Sequence, residues 1–174
     1  MLLNLTDVFT SEGKTDTKTV PLELTEFQCQ AGCFAVVGKS PVQIRMSNLG
    51  VGRALITGNV SLTLQMSCDR CLTEVPVELK LDFSREVSSE NVGDAGRDEE
   101  NQDVLEADWL NVEALINSEI LINLPEKVLC RPDCRGICSI CGHNLNDGEC
   151  GCDDFVPDPR MAAIKDIFNE KREV

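Results

Sequence analysis

The spacing of the cysteines constrains this chain more than any other feature of its sequence. Ten cysteines occur among 174 residues, and six of them lie between residues 130 and 152. A tetrahedral metal site requires short paired spacings, because one Cys-x-x-Cys turn presents two sulfurs to an ion and a second pair completes the shell. Eight of the cysteines form four such pairs: Cys68 with Cys71, Cys130 with Cys134, Cys138 with Cys141, and Cys150 with Cys152.

The four pairs predict two four-sulfur sites. Only a short loop, Gly142 to Glu149, separates the third pair from the fourth, so these two pairs close one site locally. The first pair, Cys68 and Cys71, and the second pair, Cys130 and Cys134, then form the other site. This site would attach the C-terminal segment to the preceding β domain. Closing a loop of about sixty residues adds only a modest entropic cost, whereas structural zinc binds small peptides with about 10–16 kcal/mol. We expect structural Zn²⁺, one ion or two, because nothing adjacent suggests electron transfer.

Other interpretations of the cysteines stay open. Cys29 and Cys33 lack a second pair and fit buried free thiols that act as small hydrophobes. A thiol redox switch or oxidoreductase is an alternative, in which oxidation of labile zinc cysteines releases metal and these two thiols resolve the product. The one histidine, His143, is predicted to be a loop residue because the cysteines already complete both shells. No Ser-His-Asp or Cys-His arrangement can be assembled, so we expect no enzymatic activity.

The charge excludes a free-standing nucleic-acid binder of the usual kind. Thirty acidic residues against sixteen basic ones give a formal charge of −14, whereas such binders carry the opposite balance. No run of about 18 apolar residues occurs, so no membrane span is predicted. The first residues lack a secretory signal, so we expect the reducing cytoplasm, where structural disulfides are disfavoured.

Residues 1–85 are predicted to form an antiparallel β-sheet or partial barrel. The clearest segment alternates from Val60 to Met66 and again from Val75 to Phe83, which is typical of a hairpin with one buried face. Its tip carries Cys68 and Cys71, and at this position both sulfurs can project beyond the sheet toward one ion.

Weaker patterns predict the rest of the sheet. Alternation over Val20 to Leu24 and over Val42 to Met46 indicates two further strands. Asn48 to Gly50 is predicted to be a turn, and Gly58 is predicted to mark a bulge.

The second half begins with an acidic segment. Residues 86–108 contain nine acidic residues and one basic residue, which predicts a solvated flexible linker. Asn111 then caps a central helix that runs to about Asn123. Trp109, just before it, is predicted to be a core anchor.

Residues 109–174 are predicted to combine this helix, the cysteine-rich arm and a C-terminal helix that packs back on the β domain. Asp158 and Pro159 would begin that last helix. Its apolar stripe consists of Met161, Ile164, Ile167 and Phe168. The predicted fold class is therefore α+β. An acidic protein–protein adaptor, acting through the linker and the last helix, is a further alternative.

At this point the sequence resembles the YceD family. The resemblance spans most of the chain from the predicted hairpin onward, and the ordered combination of motifs is specific. The matching motifs are Cys68-Asp69-Arg70-Cys71-Leu72, Leu124-Pro125, Cys130-x3-Cys134-Arg135-Gly136-Ile137-Cys138-x2-Cys141-Gly142-His143-Asn144-Leu145-Asn146, Cys150-x-Cys152 and Asp158-Pro159-Arg160.

The resemblance implies a small cytoplasmic metal-binding protein linked to accumulation of large-subunit (23S) ribosomal RNA, in a family with no known catalytic activity. Some relatives lack the Cys138 to Cys152 arm yet keep a Cys-x-Arg-Cys motif and, after the Leu-Pro, a His or Cys followed by a Cys. This supports the pairing of Cys68 and Cys71 with Cys130 and Cys134. The resemblance assigns no role to Cys29, Cys33 or the acidic linker.

The leading prediction is a non-enzymatic ribosome-assembly factor. Two Zn²⁺ ions with eight thiolates add further negative charge to an acidic body that already repels phosphate. We therefore expect RNA to be reached through a basic ribosomal protein or through a small local patch, with no membrane and no small-molecule substrate involved. That patch would consist of Arg70, Arg131, Arg135 and Arg160, unless they are solvated or pair with nearby acids.

Overall fold

A computed structural model describes residues 1–89 and 104–152 of the chain. Over these residues the architecture is mostly antiparallel β-sheet with two helices. In chain order the elements are β1 (Leu2–Asn4), α1 (Thr6–Thr10), β2 (Thr15–Val20), β3 (Glu26–Cys29), β4 (Gly32–Lys39), β5 (Val42–Gly50), β6 (Arg53–Ser67), β7 (Glu74–Ser88), β8 (Leu105–Glu106), β9 (Trp109–Asn111) and α2 (Val112–Asn123).

Strand β6 is the centre of the main sheet. It pairs with β7 over its whole length, from Arg53 opposite Ser88 to Ser67 opposite Glu74, which confirms the predicted hairpin. The other edge of β6 is shared by β5 and β4, which follow each other along it. Strands β2 and β3 pair with β5 and β4 and lie at the two ends of this order. The tip of the hairpin therefore projects beyond a long, well-paired ribbon.

The core lies between the inner face of this sheet and helix α2. The alternate apolar residues of β6, from Ala54 to Met66, are 0–9% exposed, as a half-buried antiparallel strand requires. Asn111 caps α2 by accepting a hydrogen bond from the Ala114 N–H at 3.2 Å, as predicted. In the described part of the chain, no helix has the length and apolar character needed to cross a membrane.

One ion pair joins α2 to the sheet inside this core. Arg85 points inward from β7, and its Nε donates to Glu119 Oε1 at 3.0 Å, with both side chains mostly buried. Each charge would be costly to bury alone, so the pair fixes where the helix crosses β7.

Two predictions about the early strands are wrong. Strand β2 ends at Val20 rather than continuing to Leu24, because Pro21 has no N–H to donate to the ladder. Asn48 to Gly50 belong to β5, where a register shift occurs, and the turn lies just beyond Gly50.

Gly58 does not mark a bulge. The ladder is regular on both sides, with Gly58 opposite Phe83 and Ile44. A Cβ at this position would lie 2.2 Å from the Gln43 carbonyl oxygen and 2.6 Å from the Phe83 ring. Glycine is therefore required here by close packing, since the aromatic ring occupies the space of a side chain.

A second, small sheet was not predicted. Strand β9 pairs with β1 and with β8, so the N-terminus closes over the residues that precede α2. Leu110 is fully buried there, whereas Trp109 is 44% exposed and is not the predicted core anchor. Neighbouring side chains of a strand point to opposite faces, so burial of Leu110 places the adjacent Trp109 on the outer face.

The ends of the predicted acidic linker belong to the fold. Strand β7 continues to Ser88, past the expected boundary at residue 85, and Val87 and Val104 are buried. The rest of the predicted linker, residues 90–103, lies outside the described residues, as does the predicted C-terminal helix from Asp158 to Phe168.

Candidate metal centre

The first candidate site lies at the tip of the β6–β7 hairpin. Cys68 and Cys71 meet Cys130 and Cys134 there, with all four sulfurs within 4.8 Å of one another, and we call this cluster the hairpin site. The Sγ atoms of Cys68 and Cys134 are 3.8 Å apart, and those of Cys71 and Cys130 are 3.5 Å apart. Zn–S bonds of about 2.3 Å in a tetrahedron place sulfurs about 3.8 Å apart. The donor set and its dimensions therefore fit a metal ion of this size.

The hairpin turn itself presents the first two sulfurs. The Cys68 N–H donates to the Thr73 carbonyl at 2.8 Å, and the Leu72 N–H donates to the Cys68 carbonyl at 2.9 Å. Leu72 takes a left-handed φ of 62° to close this turn, which is an uncommon conformation for a residue other than glycine. The local backbone is thus shaped to hold both thiols together.

The two residues between Cys68 and Cys71 fasten the chain that follows α2. Asp69 accepts a hydrogen bond from the Val128 N–H at 2.7 Å and donates its own N–H to the Val128 carbonyl at 2.9 Å. Arg70 donates from Nη1 to the Cys134 carbonyl at 2.8 Å, and its carbonyl accepts from Ile137 N–H at 3.1 Å. The spacer of the Cys-x-x-Cys motif is therefore an anchor as well as a turn.

The second candidate site is local to the arm. Cys138, Cys141, Cys150 and Cys152 also hold their sulfurs within 4.8 Å of one another, and we call this cluster the arm site. Its turn repeats the hairpin turn, with the Gly142 N–H donating to the Cys138 carbonyl at 2.9 Å and a φ of 73° at Gly142.

His143 lies beside the arm site and is exposed. Its carbonyl accepts a hydrogen bond from the Cys138 N–H at 2.8 Å, so the backbone of this residue supports the turn.

Hydrogen bonds and neighbouring thiols divide the sulfurs of the hairpin site into two kinds. Burial raises the pKa of Cys68, but backbone hydrogen bonds, led by that from Arg70, outweigh it and lower the pKa to about 6. The side chain of Cys71 acts in the opposite direction on Cys130 and raises its pKa to about 12. A cation would replace the protons that such a cluster retains.

The arm site shows the same division. Backbone hydrogen bonds from Cys141 and then Ile140 lower the pKa of Cys138 to about 7. The side chain of Cys141 raises the pKa of Cys152 to about 12. Both clusters therefore combine a readily ionised sulfur with one that keeps its proton, and a bound metal ion would have to displace that proton.

Asn146 is the residue near these sites that sequence reasoning missed. Its Nδ2 donates to Cys134 Sγ at 3.3 Å, although Asn146 lies in the loop of the arm site. This hydrogen bond is the largest influence on the pKa of Cys134, which is lowered. In the sequence Asn146 is one polar residue of the Asn144-Leu145-Asn146 motif, and no periodic pattern indicates that its side chain contacts a cysteine.

The described arginines of the predicted patch contact other groups of this chain. Arg131 lies 3.7 Å from Asp133, and Arg135 lies 4.0 Å from Glu149. Arg70 is the anchor described above, and Arg160 lies outside the described residues.

The two remaining cysteines do not join either site. Cys29 packs against the core, whereas Cys33 is exposed and is not the buried thiol that was predicted. In the β3–β4 register Cys29 is opposite Gly32, so Cys33 points to the other face of the hairpin. All ten cysteines are free thiols.

Comparisons with known proteins place these motifs in a family. The family model described as large ribosomal RNA subunit accumulation protein YceD matches residues 56–168, more than half of the chain. Uncharacterized proteins of Mycobacterium bovis and Mycobacterium tuberculosis are 26% identical over 128 residues, which is 73% of this chain and 61% of the length of each relative. No solved structure matches the chain. The match begins in β6 and includes every cysteine of both sites, and the chain therefore belongs to the YceD family.

Proposed function

We propose that this chain is a non-enzymatic cytoplasmic factor that supports accumulation of 23S ribosomal RNA, and that two structural Zn²⁺ ions hold its arm in place. The observation that carries this proposal is the presence of two four-sulfur clusters inside the region matched by the family. The family description names large-subunit ribosomal RNA accumulation, and the family is not known as an enzyme family.

The chemistry of the donors supports zinc. Each site offers four thiols and no nitrogen or carboxylate ligand among its four members. Zn²⁺ accepts four thiolates in a tetrahedron and imposes no redox chemistry, and a shell closed by protein ligands is typical of structural rather than catalytic zinc. The hairpin-site residues would then cross-link the arm to the sheet, and the arm-site residues would fold the arm on itself.

The distribution of charge supports a basic protein as the direct partner. The chain carries −14, and several of its basic side chains already pair with carboxylates, for example Lys14 with Asp7 and Lys80 with Glu78. Such a surface repels phosphate and attracts a basic ribosomal protein.

A gel-shift experiment tests this order of contacts. Ribosomal RNA fragments are mixed with the zinc-loaded chain at physiological salt, with and without a basic ribosomal protein of the large subunit. We expect a shift caused by this chain only when the basic protein is present. The variant Arg135→Ala separates direct from indirect contact, because it weakens a direct RNA complex and leaves an indirect one unchanged, while the backbone N–H that binds Asn146 is retained. Tight binding to RNA alone would contradict the proposal.

The redox alternative has less support from the fold. As resolving thiols, Cys29 and Cys33 would have to reach the oxidised zinc cysteines, but neither belongs to a four-sulfur cluster and their side chains lie on opposite faces of their hairpin. Counting bound zinc before and after mild peroxide decides between the two functions. Retention of zinc with unchanged structure is expected, and reversible release would favour the redox switch.

A further inference from the structure

The loop of the arm site reaches into the hairpin site through Asn146. Besides its bond to Cys134 Sγ, the Asn146 Nδ2 donates to Asn144 Oδ1 at 2.8 Å. Its Oδ1 accepts from Arg131 Nη2 at 2.7 Å and from the Arg135 N–H at 2.9 Å. These contacts use all four hydrogen-bonding positions of the amide. The orientation that aims one N–H at the sulfur is therefore fixed.

The hairpin site supports the arm loop in return. Gly136 follows Cys134 by two residues, and its carbonyl accepts from the Leu145 N–H at 2.8 Å. Gly136 is held close to Arg70, since a Cβ at position 136 would lie 3.2 Å from the Arg70 carbonyl oxygen. The segment between Cys134 and Cys138 therefore lies between the two sites and forms hydrogen bonds with the hairpin turn and with the arm loop.

We infer that the two sites bind metal cooperatively and that Asn146 is the positioning residue that couples them. The inference rests on the proposed function, because it requires an ion in each site. With an ion in the arm site, its four cysteines would hold in place the loop that aims the Asn146 N–H at Cys134, and this donor would stabilise the negative charge of the Cys134 thiolate. Losing a partner that hydrogen bonds to a metal ligand lowers metal affinity by about 10–100-fold. By linkage, an ion in the hairpin site favours the arm site by the same factor.

The difference in exposure sets the order in which the sites empty. Cys68 and Cys134 are at most 2% exposed, whereas Cys141 is exposed. A chelator reaches the arm site first, and the loss of that ion then weakens the hairpin site.

The test is a competition with a zinc chelator, followed by native mass spectrometry of the full zinc-loaded chain. Cys71→Ser leaves only the arm site. We expect this variant to yield its remaining ion at a chelator concentration about 10–100-fold below that which empties the arm site of the parent, whose hairpin site is still occupied at that point. Asn146→Ala lowers the affinity of the arm site in the parent by a similar factor, and combining it with Cys71→Ser adds little. Asp147→Asn is the control, since Asp147 lies in the same loop with an exposed side chain, and it leaves the affinity unchanged.

A spectroscopic measurement separates coupling from a loss of structure. In the Cd²⁺-loaded chain, Asn146→Ala shifts the ¹¹³Cd resonance of the hairpin site, which the Cys141→Ser variant identifies, and Asp147→Asn does not. Asn146→Asp, which retains acceptor oxygens for Arg131 and Arg135 but loses the donor, is expected to weaken the arm site of the fully loaded chain as Asn146→Ala does. Equal arm-site affinities in the parent, Cys71→Ser and Asn146→Ala would overturn the inference and leave the proposed function intact. A parent that binds no metal would overturn the proposed function itself.

Discussion

The hairpin site and the arm site each consist of four cysteines, but different parts of the fold hold those cysteines in place. The hairpin site takes two sulfurs from the end of a continuous fifteen-residue strand pair and two from a segment 59 residues later, and three of its cysteines are buried. The arm site takes all four from one short loop, and only Cys138 is buried. The hairpin site is therefore built onto a sheet that packs without it, whereas the arm site has no such support. A bound ion would cross-link the arm to the sheet at the hairpin site and would hold the arm itself together at the arm site.

Removing the metal should separate the two regions most clearly. Because structural zinc in small peptides contributes about 10–16 kcal/mol and the arm has little apolar core of its own, we expect residues 130–152 to lose protection from hydrogen exchange after chelation. The main sheet keeps its protection, because its own core packs between β6, β7 and α2. Loss of protection throughout the sheet would show that the comparison is false.

The turn residues of the two sites should differ in their effect on stability. Asp69→Ala removes the acceptor of the Val128 N–H, and we expect a loss of about 1–3 kcal/mol in the zinc-loaded chain. Ser139→Ala changes the matching position of the arm turn, where the serine is exposed, and should cost less than about 0.5 kcal/mol. Urea denaturation measures both. Equal effects would mean that Asp69 does not anchor the arm.

Acid should empty the arm site before the hairpin site. A metal binds thiolates, so lowering the pH favours the metal-free form of each cluster. Protons compete first at the sulfurs whose pKa is raised, Cys130 in the hairpin site and Cys152 in the arm site. The arm site should release its ion at the higher pH because its Cys141 is exposed, whereas three cysteines of the hairpin site are buried. The variants Cys71→Ser and Cys141→Ser isolate the arm site and the hairpin site, and a chromogenic zinc indicator reports release as the pH is lowered. Release from the hairpin site at the higher pH would contradict this order.

The smallest expected difference concerns the residue that closes each turn. Leu72 and Gly142 both have a positive φ, 62° and 73°. Leu72→Gly relieves the left-handed backbone and Gly142→Ala introduces it, so we expect a gain of a few tenths and a loss of about 1 kcal/mol respectively. Thermal unfolding of the zinc-loaded variants checks both signs. A destabilising Leu72→Gly would mean that the exposed Leu72 side chain contributes contacts that outweigh its backbone strain.

Periodicity and spacing predicted those parts of the fold that local physics determines. The long alternation identified the β6–β7 hairpin, and the cap at Asn111 with its apolar stripe identified α2. The cysteine pairs indicated which sulfurs share a cluster, because short spacings restrict how four ligands can meet.

The remainder depends on contacts between distant residues, which one sequence does not contain. The exposure of Trp109 follows from the pairing of β9 with β1, more than a hundred residues away in the chain. Gly58 is determined by the ring of Phe83 on the next strand. Arg70 carries a charge that suggested a partner, yet its carbonyl and guanidinium both bind the arm.

Metal stoichiometry by native mass spectrometry tests the central claim most directly. The parent chain should carry two Zn²⁺ ions, and Cys71→Ser and Cys141→Ser should each carry one in the absence of chelator. A parent without metal, or loss of both ions from either single substitution, would contradict the assignment of two separate four-sulfur sites.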